Sequence, residues 1–133
     1  MDMPIEFQVL AFTLVLALIQ ILWAASARTA ELGLKWNAGP RDGEVPAPGK
    51  MAGRLMRAQA NLFETLPLFA AAVIMAQVWG KDGVMLTLVG THLYFLGRVV
   101  YLPLYAFGVP YLRSLAWVAS LVGLAMVIAA LFV

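Results

Sequence analysis

Four long apolar runs, joined by short polar connectors, nearly fill this chain and leave it few ways to fold. A bilayer core is about 30 Å thick, and about 20 apolar residues cross it as a helix. Inside lipid every backbone N–H and C=O must find a partner within the structure, which a helix supplies. In 133 residues, four such runs predict one all-α domain, an integral membrane four-helix bundle over residues 1–133. The composition agrees, with 63% hydrophobic and 12% charged residues, against about 25% charged in soluble domains.

The spans are expected at about 5–29, 50–79, 84–107 and 111–133. Between the first two lies the one real loop, about 33–49, whose Asn37, Gly39, Pro40, Asp42, Gly43, Pro46, Pro48 and Gly49 predict irregular backbone. Gly80-Lys81-Asp82-Gly83 and Gly108-Val109-Pro110 read as tight turns. Pro67 and Pro103 fall inside the second and third spans, where a membrane bundle tolerates a local bend. Ala24-Ala25-Ser26-Ala27 resembles a signal-peptidase site. The residues before it carry Asp2 and Glu6 and no basic residue, so the first run reads as a span.

Charge bias sets the expected orientation. Arg28, Lys35, Arg41, Lys50, Arg54 and Arg57, six of the nine basic residues, lie on or beside the first loop. The positive-inside rule puts that loop in the cytoplasm and both termini on the outer side. The net charge of +2 gives no nucleic-acid surface, and membrane headgroups account for basic residues at helix ends. The chain has no cysteine and one histidine. That excludes disulfides and a cysteine nucleophile and argues against a transition-metal site.

Within this apolar frame, one stretch is costly: Arg57-Ala58-Gln59-Ala60-Asn61-Leu62-Phe63-Glu64-Thr65. Arg57, Asn61 and Glu64 fall at i, i+4 and i+7, on one stripe of the second span. A charge near the bilayer centre costs roughly 2.5–3.5 kcal/mol on insertion scales. The third span carries Arg98, Tyr101 and Tyr105 on one face at the matching depth, with Tyr94 extending the stripe outward. Arg113 and Ser114 open the fourth span, and Arg28 ends the first. These groups predict a polar pocket in the cytoplasmic half for a zwitterionic ligand, its carboxylates on arginines and its ammonium on Glu64.

Plainer readings apply to several residues. Lys50 and Arg54 read as interface charges with lipid-buried stems. Tyr94, Tyr111 and Trp79 read as interfacial or lipid-facing aromatics, His92 as a packing histidine, and Met51, Met56, Met75 and Met126 as packing residues. Arg98 could serve as an ion-pair partner for Glu64.

The string from Arg57 to Phe69 resembles the second-span signature of the MAPEG family, membrane-associated proteins in eicosanoid and glutathione metabolism. It is most similar to that of the leukotriene-forming glutathione synthases and the microsomal glutathione transferases. The Arg98, Tyr101, Tyr105 spacing and Ser26-Ala27-Arg28-Thr29-Ala30 are similar too. The resemblance implies a homotrimer, with glutathione bound between subunits near the cytoplasmic side. It implies that Arg28, Arg57 and Gln59 hold the peptide carboxylates and that Asn61 and Glu64 hold the γ-glutamyl end. Tyr101 and Tyr105 would line the ligand, and Arg113 would sit at the sulfur. Thr65 departs from the tyrosine of the leukotriene-forming synthases, and the first loop is longer than theirs. The implied activity is glutathione transfer to a lipophilic acceptor or reduction of a lipid hydroperoxide. Two other readings are a non-catalytic module that binds lipid or a partner, and a small transporter subunit. A transporter needs charge across the whole depth, yet the outer half offers little beyond His92 and Thr91.

Overall fold

A computed structural model describes residues 2–133 and contains five helices and, among those residues, no strand. α1 (Ile5–Leu32), α3 (Lys50–Val78), α4 (Met85–Ala106) and α5 (Leu112–Ala130) are each long and apolar enough to cross a membrane. They alternate in direction, so the first loop and the α4–α5 turn share one end of the bundle. α1 runs past the expected Thr29 to Leu32, where Gly33 takes φ +91° and its N–H reaches the Thr29 carbonyl. Pro67 and Pro103 both lie inside unbroken helices.

The first loop is less irregular than its composition predicts. It contains a five-residue helix, α2 (Leu34–Ala38), and is stapled to the end of α1. Glu31 accepts the Gly49 N–H at 3.0 Å and pairs with Arg28 at 2.8 Å, and Arg28 also donates to the Pro46 carbonyl. Trp36 lies under Arg41 at 4.7 Å and near Arg28 at 5.9 Å. Helix propensity in Leu34–Ala38 and these fixed partners outweigh the glycines and prolines that follow.

α3 and α4 form the centre, with α1 packed on both and α5 packed on the other side, so that α1 and α5 do not touch. The α4–α5 contact is the closest. A Cβ on Gly90 would stand 2.7 Å from the Gly123 carbonyl, and one on Gly97 would stand 2.9 Å from the Ala116 carbonyl. A Cβ on Gly123 would meet the Tyr94 amide nitrogen at 2.5 Å. In lipid there is no hydrophobic driving force between helices, so small residues that let backbones touch supply the packing. The outward face of α1, including Phe12, Leu14, Val15, Leu18 and Leu22, is exposed.

Two apolar clusters divide the interior. One gathers Leu62, Leu66, Phe69, Val73, Tyr94 and Val127; the other gathers Leu16, Leu55, Ala58, Tyr101, Leu102 and Ala106. Between them, on successive helices, fall Gln20, Asn61, Arg98 and Ser120, of which Gln20, Arg98 and Ser120 are fully buried. Tyr94 is fully buried as well, which corrects its reading as an interfacial aromatic. It stacks on Phe69 at 3.9 Å and its hydroxyl pairs with Thr65 at 2.8 Å. Tyr111 and Trp79 are exposed at 83% and 71%, as expected of interface residues. Met51, Met56 and Met75 are exposed as well, so they lie on the outside rather than in the packed interior.

At the far end the polar groups close on one another. Glu6 is buried on α1 and accepts the Gly83 N–H at 2.5 Å and the Thr87 hydroxyl at 3.1 Å. Its carboxylate thus sits at the N-terminus of α4, where the helix dipole favours negative charge. His92 is half-buried, with Nδ1 2.7 Å from the Leu88 carbonyl.

Candidate functional site

The stripe on α3 follows from helix geometry: residues three and four apart stack along one face. Asn61 accepts a hydrogen bond from Arg98 Nη1 at 2.7 Å, so the stripe meets α4 at the polar layer. Arg98 has no carboxylate within 4 Å among the described residues, and its partner is Asn61 rather than Glu64. Its guanidinium also lies 4.3 Å from the centre of the Tyr101 ring. The amide bond and the ring face stabilise this buried cation only in part, since its Nε and Nη2 have no hydrogen-bond partner among the described residues.

One turn nearer the loop end, Arg57 Nε donates to the Tyr105 hydroxyl at 3.0 Å. The Tyr105 ring has the Arg57 guanidinium at 5.9 Å and that of Arg113, from α5, at 4.7 Å. The Tyr101 and Tyr105 rings are tilted at 54° to each other, with centroids 5.4 Å apart. Two cavities open around this ring. One, of about 310 Å³, is lined by Asn61, Tyr101, Tyr105, Arg113, Ser114 and Trp117. The other, of about 220 Å³, lies against Arg54, Arg57, Tyr105, Arg113 and the Gly108–Pro110 turn. Of the larger cavities elsewhere, that of about 400 Å³ between Ile74 and Phe132 is almost wholly apolar, and one of about 510 Å³ beside the first loop carries Ser26, Thr29 and Asn37 but no charge.

Six of the expected site residues therefore meet within one chain: Arg57, Asn61, Arg98, Tyr101, Tyr105 and Arg113. Three do not join them. Glu64 is exposed on the same stripe, one turn beyond Asn61, with no polar partner among the described residues. Gln59, two residues from Arg57, points to the other side of α3, since two residues turn a helix through about 200°. Arg28 is engaged by Glu31 and Pro46 in the loop staple. Thr65 turns its hydroxyl inward to Tyr94.

Trp117 and Arg54 were not expected in the site. Trp117 had no signal, since tryptophan in a span is unremarkable. Arg54 did have one: Arg54, Arg57, Asn61 and Glu64 fall at intervals of three, four and three, a single continuous stripe. The reading of Arg54 as a plain interface charge is corrected by its place on the wall of the smaller cavity.

Compared with known protein families, the chain matches the MAPEG family over residues 9–133, nearly its whole length. It belongs to the MAPEG family. The four long apolar helices of this MAPEG chain are accordingly membrane spans, and the protein is an integral multi-pass membrane protein. A comparison with individual curated proteins finds no match. MAPEG proteins as a family act in glutathione and eicosanoid metabolism, and they generally use glutathione. The cluster in this MAPEG chain suits such a ligand: guanidiniums without acidic partners, an amide at mid-depth and two phenol rings.

Proposed function

We propose that this protein is a membrane-bound glutathione transferase or peroxidase, with glutathione as co-substrate and a lipophilic molecule as acceptor. The observation that carries the reading is Arg113. Its guanidinium faces the Tyr105 ring at 4.7 Å and lines the cavity that also holds Asn61 and Tyr101. No carboxylate lies within 4 Å of it among the described residues. A free thiol has a pKa of about 8.5 and is mostly protonated at neutral pH. A guanidinium held beside it in a low-dielectric cavity favours the thiolate. Lowering the pKa by about two units takes roughly 2.7 kcal/mol of differential stabilisation, within reach of one well-placed charge.

In the proposed reaction Arg57 binds a peptide carboxylate, and Asn61 and Glu64 bind the γ-glutamyl end. Arg98 positions Asn61 and the Tyr101 ring, and Tyr101 and Tyr105 line the ligand. With an electrophilic acceptor, the thiolate forms the new sulfur–carbon bond as the acceptor's carbon–leaving-group bond breaks, or as its activated double bond takes up a proton, and no covalent enzyme intermediate is needed. With a hydroperoxide, the thiolate takes the terminal oxygen, the O–O bond breaks and the alcohol leaves. A second glutathione thiol then attacks the sulfenic sulfur, the S–O bond breaks, and the disulfide forms with release of water.

The unit that binds is, in this reading, a homotrimer with glutathione between neighbouring subunits. Arg28 and Gln59 do not reach the Arg57 stripe within one chain, and a site between subunits gives them a role on the adjoining wall. The loop end faces the cytoplasm, as the six basic residues there argue, with both termini on the outer side. The acceptor enters from the bilayer.

The test is a glutathione titration of the detergent-purified protein, following the ultraviolet absorbance of the thiolate, with and without Arg113→Ala. Saturable thiolate formation in the parent and its loss in the variant are expected. If millimolar glutathione does not bind, the transferase reading fails. Binding without thiolate, and without turnover of a generic electrophile, replaces it with a non-catalytic module that binds lipid or a partner on the same fold.

A further inference from the structure

The smaller cavity joins Arg57 and Arg113, both used in the proposed thiol chemistry, to Arg54, which that chemistry does not use. Three guanidiniums, Arg54, Arg57 and Arg113, line about 220 Å³ beneath the α4–α5 turn. Among the described residues no carboxylate lies within 4 Å of any of them, and neither Arg54 nor Arg113 has a hydrogen-bond partner. Like charges gathered in one cavity repel, and each leaves donors to satisfy. The turn is shaped around Arg54. Gly108 stands at φ +71°, and a Cβ there would lie 2.7 Å from both Cζ and Nη2 of Arg54. The positive φ calls for glycine, and a side chain there would push the flexible Arg54 guanidinium from its present seat. Tyr105 fixes the other two, Arg57 through its hydroxyl and Arg113 over its ring.

We propose that Arg54, Arg57 and Arg113 form a binding site for a phosphate-type oxyanion. A single carboxylate would leave most of three positive charges unmatched. A phosphate monoester carries about −1.5 to −2 at neutral pH and offers three acceptor oxygens, one for each guanidinium fork. The cavity admits a tetrahedral oxyanion and is small for a tripeptide. Its depth fits the same chemistry. Arg54 is four residues from the start of α3, roughly 6 Å along the helix. Phe107, Tyr111 and Leu112 stand exposed at the rim, as residues at the headgroup level do. The oxyanion is therefore either the phosphate of a lipid headgroup or a free phosphate.

The oxyanion would share Arg57 and Arg113 with glutathione, so the proposal is tested in the absence of glutathione. The full-length protein is studied in neutral detergent, and its thermal midpoint is followed against inorganic phosphate, with chloride at equal ionic strength as reference. In a parallel arm it is placed in phosphatidylcholine nanodiscs with and without phosphatidic acid, and bound lipid is counted by native mass spectrometry. Arg54→Gln removes one charge. Gly108→Ala leaves all three charges but displaces the Arg54 guanidinium. The expected result is saturable stabilisation by phosphate, or selective retention of phosphatidic acid, with affinity about tenfold lower in Arg54→Gln and reduced in Gly108→Ala. A response in the nanodisc arm alone assigns the site to a headgroup, and a response to free phosphate alone assigns it to a small anion. No response beyond ionic strength in both arms overturns the proposal, as does an unchanged response in Arg54→Gln. Glutathione binding would stand untouched by either failure.

Discussion

The two ends of this bundle treat their charges in opposite ways. At the far end, the Glu6 carboxylate is buried, yet the Gly83 amide and the Thr87 hydroxyl satisfy it, and Lys81 Nζ donates to the Val133 carbonyl at 2.7 Å. At the loop end, Arg54, Arg57 and Arg113 gather without a single acidic partner among the described residues. Both arrangements place costly groups at the margin of an apolar medium. The difference lies in whether the protein completes them. A completed group ties helices together, whereas an incomplete one reserves its bonding capacity for something outside the chain.

That contrast can be broken by substitution. The largest effect is expected for Arg113→Ala, which should raise the pKa of bound glutathione by about two units, roughly 2.7 kcal/mol, and so lower its thiolate fraction and turnover at pH 7 by about twentyfold. The thermal midpoint in detergent should hardly move. A collapse of the fold in this variant would mean that Arg113 is structural and that the two ends do not differ. Glu6→Leu should do the reverse. It strands the Gly83 amide, while the Thr87 hydroxyl keeps the Lys81 and Val84 carbonyls, and should cost about 1–3 kcal/mol of stability, read by thermal unfolding. Glutathione affinity per folded protein should be unchanged.

Asn61→Ala tests the layer between the ends. Arg98 would lose its one side-chain partner, so stability should fall by about 1–2 kcal/mol. Glutathione binding should weaken at the same time, as calorimetry would register. A change in only one of the two readouts would assign Asn61 wholly to structure or wholly to the ligand. The smallest effect is expected for Tyr105→Phe. It keeps the ring under Arg113 and removes the hydroxyl that orders Arg57, so binding should weaken by about threefold, or ~0.7 kcal/mol.

The architecture was plain in the sequence because lipid permits so few structures. Run length alone located the spans, and Pro67 and Pro103 did not mislead once the medium was taken as a membrane. The loop was harder. Its glycines and prolines predict irregular backbone, and nothing local announces that Glu31 will reach across to Gly49 and hold α2 beside Arg28. The stripe Arg57, Asn61, Glu64 and its match to Arg98, Tyr101 and Tyr105 needed only helical spacing and the direction of each span. Arg54 escaped because its role depends on Gly108, 54 residues away in the chain and beside it only after α4 has folded back. Tyr94 was misread because a tyrosine in a span looks interfacial until Thr65 on a neighbouring helix is seen to bond it. Gln59 and Arg28 show the limit of depth as a guide. They share a level with Arg57 but not a direction.

The glycine contacts between α4 and α5 carry a mechanical consequence. Backbones that touch at Gly90, Gly97 and Gly123 leave no room to slide, so those two helices move as one rigid body. That body bears Tyr101, Tyr105 and Arg113, while Arg57 and Asn61 ride on α3. The pocket is thus a jaw with two stiff halves. Whatever spans Arg57 and Arg113 acts as the clasp between them.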